Sequence, residues 1–278
     1  MADDRREKYI NPYTDFGFKK LFGTEMNKDL LISFLNALFH DEQVVKDVKY
    51  LNSEKLGEGY GDRKAIFDVY CENEDGEKFI VEMQKVEQRY FKDRSVFYST
   101  FPIREQGLRG SDWDFNLKSV YTVGILNFVF PDNEYDDECY HHEVKLMDTK
   151  DKHVFFDKLT FVYLEMPKFN KTEDQLENMF DKWLFVLRNL SRLLERPAAL
   201  QERVFEKLFK QAEIAKFTPE ERQDYEESVK IYRDLKNSIE TAEWKKAKTI
   251  AQKFKAKGYS LEDIAEATGL SIEEIKGL

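Results

Sequence analysis

Two cysteines, Cys71 and Cys139, are all that 278 residues contain, too few for a disulfide framework or a zinc cluster. Long apolar runs are missing as well. No stretch approaches the ~18 residues of a membrane span, and the charged start MADDRREK lacks the apolar core of a secretory leader. Residence in the cytoplasm, with no membrane partner, is the expectation. Histidine is scarce: His141 and His142 are adjacent, His153 stands apart, and no helical H-x-x-x-H spacing offers a zinc site. The pair lies in an acidic region and is expected at the surface. Positive charge is outweighed by negative, 44 basic residues against 54 acidic ones for a net charge of −10. That balance argues against tight non-specific binding to nucleic acid. Apolar residues, in contrast, make up 41% of the chain, with 23 Phe and 14 Tyr, enough to furnish a globular core. The length fits one large domain, or a core domain with a helical extension.

The charge is unevenly spread. Residues 244 to 257, WKKAKTIAQKFKAK, carry six lysines and no acid, and residues 85 to 110 carry six Lys/Arg against three acids. Acid is concentrated elsewhere, as in PDNEYDDE at 131 to 138. A nucleic-acid partner is therefore not excluded, although each basic stretch also reads as a solvated helix face.

Hydrophobic periodicity orders the elements. Asn27 to Phe39 places Leu31, Phe34, Leu35, Leu38 and Phe39 on one helical stripe. Val44 to Leu51 reads as a strand, Arg63 to Cys71 and Lys78 to Gln84 as a hairpin, and 87 to 106 as a helix that Pro102 should end or kink. Lys118 to Phe130 and Val154 to Leu164 read as further strands, the first buried and central. Beyond about Glu173 strand signals vanish, and Met179 to Leu194 repeats Phe180, Trp183, Leu184, Leu187, Leu190 and Leu194 at helical spacing. Thr218-Pro219-Glu220-Glu221 is a helix start with a capping box, and Gly258 ends the basic helix. Two short helices opened by Ser260 and Ser271 follow. Their helix-turn-helix spacing invites a DNA-reading role, but the second helix begins Ile272-Glu273-Glu274, and acids facing phosphate favour packing or self-association instead.

The hairpin carries the chemistry. Alternation puts Glu82 and Gln84 on one face of their strand and Phe79, Val81 and Met83 on the other. A two-residue Asp75-Gly76 turn would set Asp68 opposite Met83. A three-residue loop, Glu74-Asp75-Gly76 with Gly76 left-handed, sets Asp68 opposite Glu82. The second register, or a local distortion with the same effect, is expected, and one step decides whether two carboxylates converge. A converging pair can hold a hard divalent cation, which can activate water against a phosphodiester. In so acidic a chain, Glu82 and Gln84 also fit the wet face of an antiparallel strand.

These segments together resemble the Rpn family of recombination-promoting nucleases and transposases, a branch of the PD-(D/E)XK nuclease superfamily. The likeness rests on Tyr13-Thr14-Asp15-Phe16-Gly17-Phe18-Lys19-Lys20-Leu21-Phe22-Gly23, on Phe34-Leu35-Asn36-Ala37-Leu38, and on Asp62-Arg63 leading to Asp68. Glu82-Met83-Gln84, Arg94-Ser95-Val96-Phe97-Tyr98, the run Val120 to Phe128, and the tail from Gly258 to Ala265 and Thr268 to Ser271 complete it. It implies an α/β fold, a PD-(D/E)XK nuclease-like mixed β-sheet flanked by helices and followed by an α-helical C-terminal region. The expected division is 1–170 for the nuclease-like domain, 171–240 for a helical extension, and 241–278 for the basic helix and short tail.

The implied activity is that of a Mg2+-dependent endonuclease on DNA, with Mn2+ as a substitute ion. Asp68 and Glu82 would be its metal carboxylates, and the Met83 carbonyl a third ligand. Gln84 stands where the wider superfamily has Lys, and an amide dipole replaces a positive charge. Lys85, on the opposite face of a regular strand, is a poor substitute. Arg63 and Lys64 are candidate contacts to the DNA backbone. Arg94 and Tyr98, four apart on one helix face, either meet a phosphate or serve structure, Arg94 with a surface carboxylate and Tyr98 in the core. Asp15 and Lys19 read as a supporting i, i+4 pair. Two other functions fit the same residues: a catalytically weak DNA- or protein-binding module, and a self-associating regulator that dimerises through its C-terminal helices.

Overall fold

The computed structural model describes residues 7–40, 44–55, 65–107, 114–131 and 138–278. The chain divides into two compact units, Met1–Tyr225 and Glu226–Leu278. Arg63 and Lys64 lie outside the described residues.

The first unit opens with α1 (Asp15–Phe22) and α2 (Lys28–Leu38). Thr14 caps α1, its hydroxyl accepting the Gly17 amide at 3.0 Å. The apolar stripes of both helices bury Phe18, Leu21, Phe22, Leu31, Phe34 and Leu35. They meet α4 (Met179–Asn189) and α5 (Arg203–Ala212). Trp183 of α4 is the hub. Its ring lies 5.6 Å from Phe22, 5.9 Å from Phe34 and 5.2 Å from Phe205, and its indole N–H donates to Ser33 Oγ at 3.2 Å. The loss of strand signal near residue 173 therefore marks a change of secondary structure inside one compact unit.

Against these helices stands a mixed sheet. Its strands are β1 (Val48–Tyr50), β4 (Val69–Asn73), β5 (Lys78–Gln84), β6 (Val120–Leu126), β7 (His141–Met147) and β8 (Val154–Glu165), in the order β1-β4-β5-β6-β8-β7. A separate two-stranded ladder joins β2 (Glu54–Lys55) to β3 (Ala65–Ile66). β5, β6 and β8 run parallel, while β1, β4 and β7 pair antiparallel. Parallel strands are covered on both faces, and every residue of β6 is buried. One face carries Phe79 and Tyr121, stacked at 4.9 Å, with Phe39 beyond α2 packed on both. The other carries Ile80, Glu82 and Gln84 and lies under α3 (Phe91–Gln106).

The hairpin has the three-residue loop. Asn73 N–H donates to the Glu77 carbonyl at 3.0 Å, Gly76 N–H returns to the Asn73 carbonyl at 3.1 Å, and Gly76 takes φ +80°. A left-handed residue at this place is why the sequence needs glycine there. The ladder then pairs Val69 with Val81, Tyr70 with Ile80 and Cys71 with Phe79.

Several expectations are corrected. The run Arg63 to Cys71 is not one strand, because the described part breaks at Phe67-Asp68 between β3 and β4. The first strand shrinks to Val48–Tyr50, and the buried run after Lys118 ends at Leu126. α3 starts at Phe91 and continues through Pro102, since Phe91, Ser95, Ser99 and Pro102 form one buried face and packing outweighs local propensity. α4 stops at Asn189, and Leu194 is exposed. β7 was hidden by its polar sequence, and His142, expected at the surface, is buried within it.

The long helix α6 (Pro219–Ala256) begins in the first unit and ends in the second. Its capping box is formed: Glu221 N–H donates to Thr218 Oγ1 at 3.2 Å, and Thr218 N–H to the Glu221 carboxylate at 3.1 Å. Within Glu226–Leu278, α7 (Leu261–Thr268) and α8 (Ile272–Lys276) close a small core of Ala251, Ile264, Leu270 and Ile275. Ser260 and Ser271 cap them. Lys255 donates to the last carbonyls of α8, Ile275 and Lys276, at 3.1 and 3.0 Å, where the helix dipole favours a cation.

Candidate active site

The ladder between β4 and β5 ends at the Val69–Val81 pair, while β5 runs on to Gln84, paired there with β6 alone among the described residues. Asp68 sits in the bend just beyond, one register step on and so opposite Glu82. Its Oδ2 accepts the Met83 amide at 2.8 Å, replacing the backbone acceptor that β4 no longer offers. The side chain thus closes the fork it stands in.

Glu82 and Gln84 are each 7% exposed. Gln84 Nε2 donates to Glu82 Oε2 at 2.7 Å. The other oxygen, Oε1, is buried without a partner among the described residues, an expensive state for a carboxylate. Burial, with the neighbouring Asp68 charge adding to it, pushes the Glu82 carboxyl up to about 7; Arg94 and the Gln84 amide draw it back. Burial also raises Asp68, with Asp15 adding to the shift and the Met83 N–H, Lys19 and Lys85 opposing it. The Asp15–Lys19 pair is formed at 3.1 Å on α1, so the pair read as helix support also contributes to the field at Asp68. Lys85 lies past the end of β5, where strand alternation no longer fixes its direction, and its charge reaches Asp68.

The face of the sheet around Glu82 is set by α3. Glu82 pairs with Gly124, and Gly124 with Tyr163. A Cβ at Gly124 would lie 3.2 Å from the Tyr163 ring and 3.3 Å from the Leu126 side chain, so glycine makes room for Tyr163 beneath α3. Ser95 and Tyr163 share a hydrogen bond of 2.8 Å. Arg94, on the flank of α3, donates from Nη1 to Gln88 Oε1 at 2.7 Å and lies 4.7 Å from the centre of the Tyr98 ring. Tyr98 is half-buried, edge-on to Phe67 at 5.4 Å. Gly124 and Tyr163 were not singled out in the sequence. The usable signal was a glycine inside a strongly β-prone run, which marks a close approach.

No group of three or more His, Cys, Asp or Glu side chains placed to hold a metal occurs among the described residues. Two carboxylates with raised pKa values and an orphaned oxygen do fit a hard cation that completes its shell with backbone carbonyl and water. A separate buried cluster lies two strands away on the same face, where Glu165 continues the Gln84–Leu126 row. Glu165 accepts from the Phe130 amide, from His142 Nε2 at 3.1 Å and from Lys168 at 2.7 Å. It is an internal polar clamp between β7, β8 and the turn that follows.

A mixed sheet with flanking helices, whose central hairpin brings an Asp and a Glu together at a strand fork, defines the PD-(D/E)XK nuclease class. The family model for PD-(D/E)XK nuclease family transposases matches residues 12–242, and the chain belongs to that family. No curated protein and no solved structure matches it.

Proposed function

We propose that the protein is a metal-dependent DNA endonuclease of this transposase-associated family. The observation that carries the reading is the hairpin register, which puts Asp68 opposite Glu82, with Glu82 Oε1 buried and unpartnered among the described residues. Asp68 and Glu82 would hold Mg2+, or Mn2+ in its place, with the Met83 carbonyl as a further ligand. Such an ion would supply Lewis acidity to the phosphoryl oxygens and hold the attacking water in place.

The chain's own groups do the rest. Gln84 fixes Glu82 by its 2.7 Å hydrogen bond to Oε2, so that Oε1 is the oxygen presented. Asp68 is held by the Met83 amide. Glu82 must lose its proton before it can ligate, which ties activity to the raised pKa. Gln84 brings no charge, and the cations acting on the two carboxylates are Arg94 on Glu82 and Lys19 and Lys85 on Asp68. Arg63, Lys64, Arg94 and Tyr98 are the proposed DNA contacts.

The test is cleavage of plasmid and single-stranded DNA by wild type against Asp68→Ala/Glu82→Ala, with Mg2+, Mn2+ and EDTA. Cutting that needs the metal and is lost in the variant is the expected result. A folded wild type that does not cut even with Mn2+ would replace this reading with a binding module.

A further inference from the structure

The outer edge of α3 carries features that the carboxylate pair does not use. Tyr90, Arg94 and the neighbours Phe97 and Tyr98 recur at i, i+4 and i+7 or i+8, on one flank of the helix. With Ile66 and Arg89 they border a pocket of about 840 Å3. Tyr90 is 63% exposed and Phe97 43%, large rings left in water at a cost unless something covers them. Guanidinium groups lie beside the tyrosines, Arg89 at 5.2 Å from the Tyr90 ring and Arg94 at 4.7 Å from Tyr98. This is the flank of the helix that sits on the Glu82–Gly124–Tyr163 row. Arg94 is shared: it walls the pocket, acts on Glu82, and keeps a buried Nε without a partner among the described residues.

We propose that this pocket takes an unpaired nucleobase of the DNA substrate, stacked against Tyr90 and Phe97, with the adjoining phosphate on Arg94 and Arg89. The inference deepens the nuclease reading and rests on it for the identity of the ligand. A chain of net charge −10 cannot rely on phosphate neutralisation alone. Asp93 on the same rim disfavours a second phosphate there. Stacking is the remaining source of affinity, and it needs a base whose face is open, which a fully paired duplex does not offer. The substrate class is therefore DNA that is single-stranded or carries unpaired bases beside the cut.

Binding of 2-aminopurine oligonucleotides in EDTA separates this from cleavage. Single-stranded and bulged oligonucleotides should bind with quenched fluorescence, and a perfect duplex roughly tenfold more weakly without quenching. Tyr90→Ala/Phe97→Ala should lose the preference while its thermal unfolding is unchanged, and Asp68→Ala/Glu82→Ala should keep it. Equal affinity for paired and unpaired DNA, absent quenching, or a Tyr90→Ala/Phe97→Ala variant that binds like wild type would overturn the proposal. Metal-dependent cutting without quenching removes the pocket's role and leaves the nuclease; quenching without cutting does the reverse.

Discussion

Glu82 and Glu165 are both buried glutamates, but their surroundings give them opposite effects on stability. Burial lifts the Glu82 carboxyl to about 7 from an ordinary value of 4.5, so the folded state holds this proton more tightly than the unfolded chain. Its stabilising share is complete below pH 4.5 and is lost as pH rises through about 7. Glu82→Gln keeps the shape and an acceptor for the Gln84 amide without the charge. In EDTA at alkaline pH it should be the more stable protein, by roughly 3 kcal/mol, with the gap closing toward acid. The same substitution should abolish metal binding. Thermal scans of both proteins across pH check this, and a wild type at least as stable as the variant at high pH would refute it. Around Glu165, burial pushes the pKa up, but the Lys168 ammonium, the Phe130 amide and His142 outweigh it and hold the carboxyl below its usual range. Its contribution is present above 4.5 and fades as pH falls through the lowered pKa. Glu165→Ala should cost on the order of 3 kcal/mol at neutral pH, because three donors lose their acceptor. Denaturant unfolding at neutral and acid pH should show that loss shrinking toward acid.

At the scale of elements, the site depends on how closely α3 approaches the sheet. Gly124 leaves room for Tyr163, whose hydroxyl bonds Ser95 of α3, and Gly124→Ala would bring its Cβ to 3.2 Å from the Tyr163 ring. Overpacking of this kind costs about 1–3 kcal/mol. The variant should unfold at lower denaturant and cut more slowly than its stability alone accounts for, since α3 carries Arg94. The parts of this arrangement visible in the sequence were those governed by local rules. Gly76 fixed the hairpin register through its turn, and Thr218, Ser260 and Ser271 announced three helix starts through their caps. The α2 stripe followed from its 3.6-residue period. What stayed hidden was non-local. Asp68 breaks its strand because its carboxylate captures an amide 15 residues away. Pro102 continues a helix because the face it shares is already buried. Among the described residues β7 pairs only with β8, at the end of the sheet order, and its mixed polar sequence imitates a solvated loop. His142 is buried through a partner on β8 that spacing cannot reveal.

For the molecule as a whole, the proposed function asks an acidic protein to hold a polyanion. The cations argued to meet DNA are few: Arg89 and Arg94 at the α3 pocket, with Arg63 and Lys64 as further candidates. The lysines of residues 244–257 are a second source of positive charge, in the other unit, but not all of that charge is available. Lys255 is spent on the carbonyls that end α8, and Lys248 lies 4.9 Å from the Trp244 ring. If the first group alone engages single-stranded DNA, Arg89 and Arg94 share one phosphate, about three are neutralised in all, and the logarithm of affinity should fall with that of salt at a slope near −2. Participation of the basic helix would steepen the slope well beyond that value. Lys245→Gln/Lys246→Gln/Lys253→Gln would then flatten it. We expect a shallow slope and no effect of the triple substitution, measured by fluorescence anisotropy over a salt series in EDTA. A steep slope that the substitution reduces would transfer much of the grip to the C-terminal unit. The aromatic pocket would then orient the strand at the carboxylates instead of holding it.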